Sequence, residues 1–136
     1  MFAAAEGGSE TILVVEDQDV VRTFAVTALR RFGYNVLEAS DGTEALAVAA
    51  RHPGKLHLLV TDVVMPGMNG KQLSERLTEL NPTLEVIFVS GYTADVIADR
   101  GVLDPSVAFL HKPFSPEELA TKVRSVLGNS KSPGAE

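Results

Sequence analysis

The chain contains no cysteine. That excludes a disulfide frame and any thiolate metal site, and it suits a reducing cytoplasm. Its three histidines, His52, His57 and His111, show none of the spacings of a zinc site, and they read as structural or solvated residues without a role. There is no surplus of basic residues: the net charge is -6, which argues against a surface built to grip nucleic acid. No apolar run approaches the roughly 20 residues of a membrane span. The start, Met1 to Glu10, has neither the basic opening nor the apolar core of a signal peptide. No internal repeat and no interdomain linker is visible.

What is present is an ordinary globular composition in 136 residues, 45% hydrophobic and 22% charged, enough for one domain. Residues 1–9, with Ala3-Ala4-Ala5-Glu6-Gly7-Gly8-Ser9, read as a flexible leader, 10–128 as the domain, and 129–136 as a disordered tail. No output module is expected after Leu127.

Within the domain, short apolar runs alternate with helical patterns, which predicts an α/β fold with a parallel sheet. The predicted strands are Thr11–Val15, Tyr34–Glu38, Leu56–Thr61, Leu84–Val89 and Val107–Leu110. They are near-continuous in Val, Leu and Ile, as strands covered on both faces are. Between them, Val21, Phe24, Ala25, Ala28, Leu29 and Phe32 recur at helical spacing, with Asp19 as N-cap and Gly33 as C-cap. Asp41-Gly42-Thr43-Glu44 offers a capping box for a second helix, which His52-Pro53-Gly54 ends. A third helix shows Leu73, Leu77 and Leu80 and stops at Asn81-Pro82. Thr93–Asp99 predicts a short fourth helix, cut off by Gly101 and Pro105. Ser115-Pro116-Glu117-Glu118 opens a fifth, with Leu119, Val123, Val126 and Leu127 as its buried stripe. Met65 and Met68 read as packing residues.

The chemistry gathers at strand ends. The first run ends in Glu16-Asp17, the third in Asp62, the fourth in Ser90-Gly91 and the fifth in His111-Lys112-Pro113. In parallel α/β sheets the functional crevice lies beyond the carboxyl ends of the strands. Glu16, Asp17 and Asp62 converge only if the first and third strands are neighbours, which selects the order 2-1-3-4-5. Three carboxylates repel one another unless neutralised; one Mg²⁺ and one lysine supply about the balancing charge. Asp17, Asp62 and the backbone carbonyl of Val64 are the expected direct ligands, with Glu16 acting through a water. Asp62 can serve as a nucleophile that takes a phosphoryl group. Lys112 would stabilise the phosphoryl oxygens and Ser90 would donate a hydrogen bond to one of them.

Together, Val14-Val15-Glu16-Asp17, Asp62-Val63-Val64-Met65-Pro66-Gly67-Met68-Asn69-Gly70, Ser90-Gly91 and Lys112-Pro113-Phe114 resemble the receiver domain of two-component response regulators, over about Thr11 to Leu127. The resemblance implies a flavodoxin-like (βα)5 three-layer sandwich. It also implies Mg²⁺-dependent phosphorylation by a phosphohistidine on a sensor histidine kinase or a histidine phosphotransfer protein. By motif position, Asp62 resembles the phosphoacceptor and Glu16 and Asp17 the metal-binding pair. Ser90 resembles the switch hydroxyl, where threonine is commoner, and Lys112 the motif's lysine, its bond to Pro113 cis. Phe109 resembles the aromatic rotamer switch, where tyrosine is commoner. Val64 and Tyr92 occupy positions that tune loss of the phosphoryl group. Apolar Val64 cannot orient a water, which points to a long-lived phosphoryl state.

The output surface implied is the fourth helix, fifth strand and fifth helix, binding a downstream protein or a second copy of the chain. The style of Ser90-Gly91-Tyr92 and Leu103-Asp104-Pro105 is similar to receivers of hybrid sensor kinases. A phosphoaspartate phosphatase would carry a second Asp where Val64 stands, which argues against an enzyme. An unphosphorylated pseudo-receiver would have lost a member of the site, and none is missing.

Overall fold

The computed structural model describes residues 7–91 and 107–131. The elements, in order, are β1 (Thr11–Val15), α1 (Asp19–Arg31), β2 (Asn35–Ala39), α2 (Gly42–Arg51), β3 (Leu58–Asp62), α3 (Gly70–Leu80), β4 (Glu85–Ser90), β5 (Ala108–His111) and α4 (Pro116–Lys131). The expected helix at Thr93–Asp99, together with Tyr92 and Leu103-Asp104-Pro105, lies outside the described residues, so the expected fifth helix is α4.

The five strands form one parallel sheet in the order β2-β1-β3-β4-β5. This is the expected flavodoxin-like arrangement. Right-handed crossovers that travel in opposite directions across the sheet place α1 on one face and α2 and α3 on the other. Side-chain alternation in β1 divides the core accordingly. Ile12 and Val14 pack with Ala25 and Leu29 of α1 and with Leu119, Val123 and Leu127 of α4. Leu13 and Val15 pack with Ala45 of α2, with Leu73 and Leu77 of α3, and with Met65. Every residue of β1 and β3 is buried, which explains their unbroken apolar runs. Met68 packs beside the second cluster, as a packing residue should.

Local differences from the expected pattern have local causes. Gln18, not Asp19, is the N-cap of α1, and its side chain makes no capping bond. The Asp19 carboxylate instead accepts from Arg22 at 2.6 Å. Gly33 stands one residue past the C-cap Phe32 with φ +96°, the left-handed position where a β-carbon is penalised. Asp41 caps α2 by accepting from the Glu44 amide, but Glu44 reaches one residue further back, to the Ser40 amide at 2.6 Å. The α3 terminus carries a complete capping box between Asn69 and Gln72. Leu80 is 69% exposed and lies off the buried stripe. Ser115 and Glu118 form the expected reciprocal pair at the start of α4.

Local structure continues at both ends of the described residues. The helix α4 continues to Lys131. The last leader residues are tied down, because the Gly8 amide donates to the Phe32 carbonyl at 3.1 Å and Asn35 donates to the Ser9 carbonyl at 3.0 Å. Arg124 of α4 donates to the buried Glu10 carboxylate at 2.8 Å and to the Gly7 carbonyl at 3.2 Å. Among the described residues no helix is long and apolar enough to cross a membrane.

Candidate functional site

Parallel pairing carries the reactive residues to one edge. Val15 is registered with Thr61, Asp62 with Val89, and Ser90 with His111. The residues that follow these positions therefore emerge side by side above the sheet. One carboxylate oxygen each of Glu16, Asp17 and Asp62 lies within 4.8 Å of the other two. Lys112 Nζ reaches into the same space, 2.8 Å from Glu16 Oε1 and 3.2 Å from Asp62 Oδ2. Glu16 is 4%, Asp62 8% and Ser90 2% exposed, whereas Asp17 is open to solvent.

Burial dominates the electrostatics of this cup. It pushes the Glu16 and Asp62 carboxyls above their ordinary values, and the hydrogen bonds and charge of Lys112 only partly oppose it. Neighbouring carboxylates add to the rise, Asp62 acting on Glu16 and Asp17 on Asp62. Burial also works to lower Lys112, but Glu16 and Asp62 outweigh it and hold the ammonium above its usual value. Three carboxylates and one ammonium leave a formal charge of -2 on an all-oxygen donor set. This fits a hard divalent cation such as Mg²⁺, with Glu16, Asp17 and Asp62 as the residues to hold it.

The surrounding backbone fixes each acid. The Gln18 amide donates to Glu16 Oε2 at 3.0 Å, and the Glu16 amide donates to the Ala39 carbonyl at 3.2 Å. Buried Thr61 donates its hydroxyl to the Asp62 carbonyl at 3.0 Å. Gly70 lets α3 approach this strand end: a β-carbon there would stand 2.2 Å from the Asp62 carbonyl oxygen. The Lys112 amide donates to the Ser90 carbonyl at 2.8 Å, and the Lys112–Pro113 peptide is cis.

Other expected site residues lie around the cup. Val64 stands at the rim, 58% exposed. Phe109 lies outside the acid cluster, half-buried on β5 beside Val63 and Phe88. Of the histidines, His57 Nδ1 accepts from the Thr11 amide at 3.0 Å and His111 Nε2 lies 3.1 Å from the Gly91 carbonyl; both contacts are structural. Two residues that shape the strand end escaped the sequence reading, Thr61 and Gly70, which sit in stretches already explained by a strand and a turn.

A family model for the response regulator receiver domain matches residues 12–124. The chain belongs to the response regulator receiver family. This receiver is 45% identical over 120 residues to the sensor kinase CckA of Brucella abortus, covering 88% of the present chain but only 13% of the kinase. It is 34% identical over 116 residues to the response regulator receiver protein CpdR of the same organism, covering 85% of the chain and 95% of CpdR. The crystal structure of the receiver domain from the hybrid histidine kinase CckA is similar with a TM-score of 0.72 at 41% identity, covering 86% of this chain and 98% of that one. The chemotaxis response regulator CheY4 of Vibrio cholerae gives 0.74 at 27% identity, covering 88% and 100%.

Proposed function

We propose that this two-component receiver takes a phosphoryl group onto Asp62 from a phosphohistidine of a sensor histidine kinase or a histidine phosphotransfer protein, in the cytoplasm. The observation that carries this reading is the shared ammonium: Lys112 Nζ bridges Glu16 and Asp62, so the acceptor and the acids beside it face one cation. An Asp62 carboxylate oxygen bonds to phosphorus as the phosphorus–nitrogen bond of the donor imidazole breaks. The nitrogen keeps the electron pair and takes a proton. Glu16, Asp17, Asp62 and the Val64 carbonyl would hold Mg²⁺, Glu16 through a water. Bound there, the ion supplies charge to offset the phosphoryl oxygens. Lys112 releases Asp62 to reaction and pairs with the transferred group, while the Ser90 hydroxyl donates to it.

The group on Asp62 goes from about -1 to about -2, which pulls Ser90 and Lys112 inward. Through Phe109 this alters the face made by β5, α4 and the segment Thr93–Asp99 expected to be helical, where a downstream protein or a second copy binds. No nucleic acid or membrane contact is part of this function. The greater identity to the CckA receiver favours a place in a multistep relay of the hybrid-kinase kind. The test is to incubate the chain with a small acyl phosphate and Mg²⁺ and weigh it intact. A gain of about 80 Da, lost in Asp62→Asn and without Mg²⁺, is expected. No gain would instead support an unphosphorylated interaction module, and fast continuous consumption of donor would support an enzyme.

A further inference from the structure

Arg22 spends its whole guanidinium on three separate segments. Nη1 donates to the Glu16 carbonyl oxygen at 2.9 Å. Nη2 donates to Asp19 Oδ1 at 2.6 Å, and Nε donates to Glu38 Oε1 at 3.3 Å. The side chain is mostly buried although both of those carboxylates face solvent. The three acceptors lie on the loop after β1, on the first turn of α1 and on β2.

The contact to Glu16 falls on the peptide that separates the two acids of the cup. That peptide decides that Glu16 turns inward to Lys112 while Asp17 faces out. The preceding peptide, Val15–Glu16, is already fixed, because the Glu16 amide donates to the Ala39 carbonyl at 3.2 Å. Arg22 fixes the next one through the Glu16 carbonyl. A planar fork holding three acceptors has no substitute in lysine, which offers one point charge.

We propose that Arg22 is a positioning residue for the divalent cation: it locks the Glu16–Asp17 peptide so that both carboxylates stand ready for the ion, although its own charge repels that ion. The inference rests on the acid cluster being the Mg²⁺ site. Charge and geometry then predict opposite signs. Removing a cation beside an acidic cup should by Coulomb's law tighten Mg²⁺ binding. Releasing the peptide should weaken it, by about tenfold, as loss of a group that holds a metal ligand in place does.

The experiment is a Mg²⁺ titration of the isotope-labelled full chain, followed by amide chemical shifts, for wild type, Arg22→Gln and Arg22→Lys. Both variants are expected to bind about tenfold more weakly while keeping dispersed spectra. In phosphorylation assays their half-saturating Mg²⁺ concentration should rise by a similar factor, with the rate at saturating Mg²⁺ within about twofold of wild type. Unchanged or tighter binding by Arg22→Gln overturns the proposal. Should that variant not fold, Arg22→Lys decides alone: wild-type affinity there means that charge suffices and the fork is irrelevant. A wild-type chain whose Asp17 and Asp62 amides ignore Mg²⁺ removes the metal site itself, and this inference with it.

Discussion

At the scale of single residues, the cup stores an imbalance. Glu16 and Asp62 both hold protons more tightly in the fold than in the unfolded chain, because burial penalises their charged forms. Their contribution to stability is therefore greatest below the unfolded value of about 4, and it is lost as pH rises through the raised folded values. Lys112 is shifted upward, so its contribution is fully present throughout the acidic and neutral range. At pH 7 the metal-free receiver thus carries two buried charges against one ammonium. Mg²⁺ needs ionised ligands, so protons compete with it. Millimolar Mg²⁺ should raise the melting temperature by several degrees at pH 7 and by less at a pH near the unfolded carboxyl value, as read by calorimetry. Equal shifts at both pH values would place the ion elsewhere. Val64 sets a second expectation. Its exposed apolar side chain sits at the rim and offers attacking water no acceptor. Val64→Asp should shorten the phosphoryl lifetime by about a hundredfold, the lower end of general-base assistance. Mass spectrometry over time checks this, and a wild-type half-life of seconds would refute the premise.

At the scale of elements, the start of α3 is the tightest joint. The Gly70 amide donates to the Val63 carbonyl at 2.9 Å. A β-carbon on Gly70 would meet the Asp62 carbonyl at 2.2 Å and Val63 Cα at 3.1 Å, all backbone that cannot rotate away. Gly70→Ala should cost about 3 kcal/mol, seen as a lower urea midpoint. It should also slow phosphorylation, since the strand end that carries Asp62 must shift; a neutral substitution would show that the joint is looser than described. This joint illustrates what the sequence conveys and what it hides. Strand tips were legible because β1 and β3 are buried on both faces, leaving Glu16, Asp17 and Asp62 as abrupt polar ends to apolar runs. The Ser115–Glu118 cap was legible because both partners lie three residues apart. The Asn69–Gln72 box was not singled out, because the turn signal of Pro66-Gly67-Met68-Asn69-Gly70 masked it. Leu80 fits the apolar period yet projects to solvent on the last turn of α3. Gly70 gave no warning, since its need arises from a neighbouring strand end. Arg22 joins segments far apart in sequence, a geometry that no periodic pattern encodes.

At the scale of the whole molecule, the parallel sheet separates two rims. The carboxyl rim carries the acid cluster, Lys112 and Ser90. The amino rim carries structural ties: His57 to the Thr11 amide, Arg124 to Glu10, and the Gly8 amide to Phe32. The link from α2 to β3 passes along this second rim through exposed Pro53, Gly54 and Lys55. A short flexible insertion between Gly54 and Lys55 should leave acceptance of a phosphoryl group within about twofold of wild type, because surface connections tolerate added length. A severe loss, measured as mass gain over time, would reveal communication between the rims.

The Arg124–Glu10 pair has a practical corollary. By stapling the opening of the chain beneath its final helix, it settles where a probe can be hung. A fluorophore or immobilising handle joined ahead of Gly7 would leave from the underside, so the receiver could be anchored to a sensor surface with its reactive rim facing the incoming donor.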